Sequence, residues 1–279
     1  MLQVLSLGAG VQSTTVLRMS IAGELPKLDA AIFADTGWEP AAVYAHLEVL
    51  KAECEAAGIP FYQVTAGNIR DDALRSQLRG IEDGSGMRAI SMPLRTKDSE
   101  GGEGLVRRQC TREYKIDPIE KCLRYTILGL KPRQRAPREP VIDQWFGIST
   151  DELYRVRPND AKRPWLRFIY PLVDIKPMSR GACFAWARKH GWSAPPRSAC
   201  IGCPYRSNAE WRDLQENAPE EFADAVAFDE SIRSRGGDRG DMFIHRNCEP
   251  LASVDLRTDD ERNGQISLWN EECEGMCGV

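Results

Sequence analysis

Apolar and polar positions alternate between two rhythms along the first quarter of this chain. Leu2 to Leu7 is a short apolar run of strand length, and Gly8 to Gln12 make a tight, glycine-containing turn. A helix is predicted to open at Ser13 and run to about Gly23, with Val16, Leu17 and Ile21 on one face. Ala30 to Ala34 is a second buried strand that ends in Asp35-Thr36-Gly37. Pro40 starts the next helix, where Val43, Leu47, Leu50 and Cys54 recur at helical spacing, and Phe61 to Thr65 is a third strand. Strands alternating with amphipathic helices predict an α/β fold: an open, mostly parallel, doubly wound sheet with helices on both faces.

The rhythm then breaks. Asp83 to Glu103, rich in Gly, Ser and charge, reads as a long loop of the kind that forms lids or is disordered. Ile116 to Leu128 and Ser179 to His190 read as helices, Val141 to Ile148 and Phe168 to Leu172 as strands. Helices are predicted around Asn208 to Gln215 and Glu220 to Arg233, and the tail from Gly236 reads as irregular and cysteine-rich. The division expected is an α/β nucleotide-binding domain over 1–215 and a helical segment with a cysteine-rich tail over 216–279.

Composition adds exclusions. No apolar run among the 279 residues approaches the roughly 20 needed to span a bilayer. The N-terminus shows no export signal, so no membrane contact and a cytoplasmic location are expected. A net charge of −4 argues against a dedicated duplex-binding module, although Arg107, Arg108, Arg112 and Lys115 cluster. Nine cysteines in such a chain point to metal binding, catalysis or burial rather than to a disulfide framework.

The front loop, Ser6 to Thr15, carries the first candidate chemistry. Small residues between a strand and a helix start let backbone N–H groups converge on an anion, and the helix dipole helps. Ser6, Gly8, Ala9, Gly10, Gln12, Ser13 and Thr14 are the candidate contacts, with hydroxyl donors from Ser13 and Thr14. The spacing matches neither the dinucleotide fingerprint nor the Walker loop, and a glycine-rich turn with no ligand is the plain alternative. Asp35, Thr36 and Gly37 end the neighbouring strand, where open α/β sheets bind ligands; there Asp35 reads as a ribose or adenine contact or as a simple cap.

Cys200 and Cys203, separated by two residues and flanked by Pro196 and Pro204, have the spacing for two bonds to one metal, or form a redox-active or structural pair. Cys273 and Cys277 lie in a short terminal stretch with Gly275 and Gly278, where exposed, reactive thiols are expected: Cys273 as nucleophile and Cys277 as resolving thiol, or both as metal ligands. Cys54, Cys122 and Cys183 fall within helical patterns and read as small core residues. Five tryptophans, Trp145, Trp165, Trp186, Trp192 and Trp211, read as packing residues, with base stacking open to one of them.

These segments together resemble the adenine nucleotide α-hydrolase (PP-loop) superfamily, and within it the phosphoadenylyl-sulfate (PAPS) reductase-like proteins. The front loop looks like their pyrophosphate loop, and Asp35-Thr36-Gly37 is similar to the Asp-Thr-Gly that ends their second strand. Gly147-Ile148-Ser149-Thr150-Asp151-Glu152 with Arg155 is similar to their Gly-Ile-Arg-x-x-Glu-Ser-x-x-Arg segment. Cys110-Thr111 through Pro118, Ala199 to Cys203, and Glu272 to Gly275 resemble their remaining cysteine segments. Three departures stand out: Gln12 replaces an acidic residue of the ATP-hydrolysing members, Ser149 an arginine, and Cys110-Thr111 a Cys-Cys pair.

The resemblance implies an enzyme that binds an adenine nucleotide, as ATP or as adenylyl sulfate or PAPS, and reduces adenylylated sulfate through Cys273. It implies that Arg108, Arg112 and Lys115 clamp phosphate or sulfate, with Gly147, Arg155 and Arg157 as further contacts. It also implies a [4Fe–4S] cluster, with zinc as the alternative, on Cys110, Cys200 and Cys203. The fourth ligand comes from Cys248, Cys122, Cys273 or Cys277, and Cys248 is taken here. A thioredoxin-like reductant is the implied partner, and a homodimer is admitted. The alternative is an ATP pyrophosphatase and sulfurtransferase that adenylates a nucleic acid for tRNA thiolation or DNA phosphorothioation, fed by a cysteine desulfurase, with magnesium if ATP is used. A non-catalytic nucleotide or metal sensor is the third reading.

Overall fold

The computed structural model describes residues 1–82, 90–257 and 259–262. The chain runs β1 (Leu2–Leu7), α1 (Val11–Ile21), β2 (Ala30–Asp35), α2 (Ala41–Ala56), β3 (Phe61–Thr65) and α3 (Ile69–Glu82). Then follow β4 (Arg95–Lys97), β5 (Glu103–Leu105), α4 (Asp117–Lys121), β6 (Ile142–Phe146), β7 (Leu166–Ile169), α5 (Pro171–Asp174) and α6 (Arg180–Lys189). The last elements are α7 (Asn208–Asn217), α8 (Pro219–Ile232), β8 (Asp241–Phe243) and α9 (Asp259–Arg262). They fall into two compact units that interleave along the chain: 1–35, 41–66 and 115–198 in the first, 36–40, 67–114 and 199 onward in the second. Residues 215 and 216 both lie within α7, in the second unit.

The first unit is built on a five-stranded, all-parallel sheet in the order β3-β2-β1-β6-β7. Its strands are apolar on both faces because both faces are covered. Leu5, Leu7, Ala31, Phe33 and Trp145 pack with Val16, Leu17, Leu47, Leu50 and Cys183 of α1, α2 and α6. Val4, Ala30, Ile32, Ala34 and Ile142 pack with Ile119, Leu123 and Trp165. Each Val, Leu, Ile or Phe among them contributes about 1.5–3 kcal/mol by leaving water. Helices therefore flank both faces, and the α/β, doubly wound expectation is met at that level. The strand order reverses between β1 and β6, and their carboxyl ends lie side by side, Ser6 opposite Phe146.

Two expectations change in this unit. The helix predicted from Ser13 begins two residues earlier, at Val11. The strand predicted over Phe168 to Leu172 stops at Ile169, because Pro171 takes the first position of α5, where a missing N–H costs nothing.

The second unit gathers α3, α7 and α8 around Trp38, Leu94, Trp211, Phe228 and Ile244. Its sheet is small and antiparallel, in the order β5-β4-β8. The loop expected over Asp83 to Glu103 therefore contains β4 and the start of β5, with 83–89 lying outside the described residues. The stretch expected to be irregular from Gly236 supplies β8. Strands of three residues are too short to show a period of two. Buried Asp229 accepts from the N–H groups of Ile244 (2.8 Å) and Leu251 (3.0 Å) and pairs with Arg233, fixing the turn after β8. Among the described residues no helix is long and apolar enough to cross a membrane.

Candidate functional site

The turn between β1 and α1 is shaped by the main chain. Gly10 is the N-cap of α1, extended at φ −89° and ψ 176°, and no side chain caps the helix. The first N–H to bond is that of Thr14, to the Gly10 carbonyl at 3.0 Å. Those of Val11, Gln12 and Ser13 donate to no group among the described residues. Ser13 Oγ closes the turn: it donates to the Gly10 carbonyl and accepts from the Gly8 N–H, each at 3.2 Å. The left-handed residue is Ala9 (φ +56°), fully buried, rather than either glycine. A Cβ placed on Gly10 would meet nothing within 4 Å. The result is a helix start with free N–H groups, a positive dipole end and open space before it, which is what an anion requires.

The segment after β6 closes on this turn. A Cβ at Gly147 would lie 2.5 Å from the backbone nitrogen of Ser13, so only glycine admits the approach. Buried Gln12 donates through Nε2 to Glu152 Oε2 at 3.0 Å and to the fully buried Ser149 Oγ at 3.4 Å. Arg155 Nη1 donates to the other oxygen of Glu152 at 2.8 Å. Glu152 and Ser149 are not among the contacts expected from the sequence; the Glu152-x-x-Arg155 spacing is the signal that points to the pair. Gln12, Gly147 and Arg155 are thus brought together with the front loop, at the strand-order reversal where open α/β sheets bind ligands.

Other predicted residues sit in different surroundings. Ser6 accepts from Gln144 Nε2 at 2.8 Å, both buried. Thr14 is buried and its hydroxyl meets His46 Nε2 at 3.2 Å, where burial first, and then Arg18, holds the imidazole below its usual pKa. Asp35 accepts from the Tyr44 hydroxyl and from Gln63 Nε2, each at 2.9 Å. Thr36 and Gly37 belong to the second unit, where Asn68 Nδ2 donates to the Gly37 carbonyl at 2.7 Å. Arg108 and Arg112 lie in the second unit and Lys115 begins a segment of the first; Arg108 sits 5.5 Å over the ring of Tyr205, and Arg112 and Arg157 are exposed. Trp145, Trp165 and Trp211 are buried, Trp186 and Trp192 half-buried.

All four predicted metal ligands belong to the second unit. The loop from Cys200 to Cys203 is held by side chains. Arg206, buried, donates through Nε to the Ile201 carbonyl (3.0 Å) and through Nη2 to those of Ala199 and Cys200 (both 3.2 Å). Ile201 N–H donates to the Trp38 carbonyl at 2.8 Å, and a Cβ on Gly202 would lie 2.2 Å from the Trp38 ring. Thr36 Oγ1 lies 3.2 Å from Cys200 Sγ. Cys110 packs against the same core as Cys200, and Cys110 and Cys203 both act on the hydroxyl of Tyr205, whose pKa burial raises first. Cys248 is buried, donates to the Thr96 carbonyl at 3.8 Å, and has its thiol pKa raised by burial. Among the described residues no three His, Cys, Asp or Glu side chains gather as metal ligands. Cys54, Cys122 and Cys183 are buried in the first unit, burial pushing the last up to about 12. Cys273 and Cys277 lie outside the described residues.

No family model matches this sequence, and no curated protein matches it.

Proposed function

We propose that this chain is an enzyme that binds the phosphates of an adenine nucleotide on the first turn of α1 and acts on sulfur, in the manner of the PAPS reductase-like proteins it resembles. The observation that carries the first half is the helix start: three free N–H groups, the positive dipole end and open space at Gly10, at the β1–β6 reversal. The second half is supported by the resemblance and by the thiols of Cys110, Cys200 and Cys203 within one unit.

In this reading the Cys273 thiolate attacks the sulfur of adenylyl sulfate or PAPS. A sulfur–sulfur bond forms, the bond to the phosphate oxygen breaks, and the nucleotide leaves with the electron pair. Cys277 then attacks Cys273, releasing sulfite and leaving a disulfide, which a thioredoxin-like dithiol reduces. The resemblance assigns Arg108, Arg112 and Lys115 to the sulfate end. An iron–sulfur cluster or zinc, held by Cys110, Cys200 and Cys203 with Cys248 as the fourth ligand considered, would fix the conformation of the cysteine loop. The half-exposed pair Cys200 and Cys203 favours the second reading, in which these thiols carry sulfur to a nucleic acid that the enzyme has adenylated with ATP.

Calorimetry with adenylyl sulfate, PAPS and magnesium-ATP tests the nucleotide site. Gly10→Val is expected to weaken binding by about tenfold or more without unfolding the chain, since its side chain fills only the open space. Unchanged affinity removes the site. A sulfur adduct on Cys273 by mass spectrometry, with sulfite release lost in Cys273→Ser, supports the reductase; pyrophosphate release from ATP supports the sulfurtransferase instead.

A further inference from the structure

The loop between α4 and β6 carries a charge pattern that neither reading uses. Lys131, Arg133, Arg135 and Arg138 fall within eight residues of a chain whose net charge is −4, and all four are exposed. None pairs with a carboxylate among the described residues. The turn that presents them is built rather than slack. Gln134 N–H donates to the Lys131 carbonyl at 2.9 Å, closing a four-residue turn with Pro132 second and Arg133 third. Lys131 N–H donates to Gln134 Oε1 at 2.9 Å, and Arg124 Nη2 donates to the Gln134 carbonyl at 3.1 Å. Ala136 anchors the loop on the core.

Arg133 sits at φ +66°, the left-handed position that such turns give to glycine. A guanidinium stands where glycine would be unstrained, and strain of this kind points to use. Tyr125, the chain neighbour of the Arg124 that holds the turn, is 42% exposed, with the Arg124 guanidinium 5.6 Å from its ring. Three arginines and a lysine offer charge-assisted donors to phosphate oxygens, and an accessible aromatic ring is a platform for an unpaired base. A membrane surface would call for exposed large apolar side chains next to the cations; residues 131–139 include no Leu, Ile, Val, Met or Phe, and of the flanking ones Leu128 and Val141 pack on the core and Leu130 is half-buried. We propose that this turn, with Tyr125, binds a single-stranded nucleic acid through its phosphates and one stacked base. The inference stands on these residues alone and does not depend on the nucleotide site.

The test is fluorescence anisotropy of the full chain with a labelled, mixed-sequence single-stranded oligonucleotide, as RNA and as DNA, over rising salt. The wild type is expected to bind at least one of them. Replacing Lys131, Arg133, Arg135 and Arg138 together by Ala should weaken binding by about tenfold or more. The slope of log affinity against log salt should fall by about 3, at roughly 0.7 for each phosphate that no longer meets a cation. Arg133→Gly keeps the turn and relieves its strain, so a drop of about 0.7 in that slope in a fully folded protein reports the guanidinium itself. Tyr125→Ala should weaken binding with the slope unchanged. The proposal fails if the wild type binds neither strand, if the quadruple variant binds as well as the wild type, or if phosphatidylserine vesicles or polyglutamate compete equally. Nucleotide calorimetry on the same variants should be unchanged, so a defect at the front loop is told apart from one at this turn.

Discussion

The two units hold their candidate chemistry by different means. In the first, the anion site is main chain: the N–H groups of Val11, Gln12 and Ser13 point out of a helix whose position is set by a buried parallel sheet. In the second, the Cys200–Cys203 loop has no regular element of its own, and its shape rests on Arg206, Trp38 and the missing side chain of Gly202. A site made of backbone tolerates many side chains and fails only where atoms collide. A loop held by a few long side chains fails when one of them is removed.

That contrast predicts the largest effect at Arg206. Its guanidinium serves three carbonyls from a buried position and lies 5.6 Å over the Trp211 ring. Arg206→Ala strands those acceptors and should cost about 3 kcal/mol in urea unfolding. Labelling of Cys200 and Cys203 by a thiol reagent should also speed up. Arg206→Lys should rescue little, because a single ammonium cannot span three carbonyls. If labelling rates and the unfolding midpoint both stay at wild-type values, the loop is held by something else and the contrast is lost.

Gly147 comes next. Its replacement by Ala forces a methyl against the Ser13 backbone and should cost about 1–3 kcal/mol, as overpacking does. Unlike Gly10→Val, it should lower stability and nucleotide affinity together, since the two loops must part. A Gly147→Ala protein with normal stability and normal binding would mean that the segment after β6 is not what shapes the turn.

What the sequence made legible follows the same line. β1, α1, β2, α2 and β3 stand close to where the apolar pattern puts them, because each is long enough to show its period and buries the side chains that define it. α3 gives no such sign: its residues Ile69 to Glu82 are mostly charged or polar, and of those whose burial is described only Ile69 and Ala73 are buried. β4, β5 and β8 have three residues each and pair across long separations, as Arg95 does with Phe243. In the candidate site, the front loop and Gly147 were readable as local motifs. The link from Gln12 to Glu152 spans 140 positions, and the link from Arg206 to the cysteine loop gives no periodic sign. Polar contacts of either span become visible only when the fold brings the partners together.

The smallest expected effect is the most informative about the front loop. Ala9 holds a left-handed conformation at φ +56° with its methyl fully buried. Ala9→Gly removes a penalty of roughly 1–2 kcal/mol for that conformation. Against it stand the extra freedom of glycine in the unfolded chain, about 0.4–1 kcal/mol, and the lost burial of one methyl, about 0.8 kcal/mol. These terms are of one size and opposite sign, so the net change should lie within about 0.8 kcal/mol of zero. Nucleotide affinity should not move, because the N–H groups of Val11 to Ser13 keep their place. A gain well above 1 kcal/mol, measured by urea unfolding, would show that strain at Ala9 outweighs its packing and that the turn is held open against its own preference. A loss of more than about 2 kcal/mol would show the reverse, that the methyl anchors the turn to the sheet and that the first unit's site also depends on a side chain. In that event the contrast between the two units would have to be withdrawn.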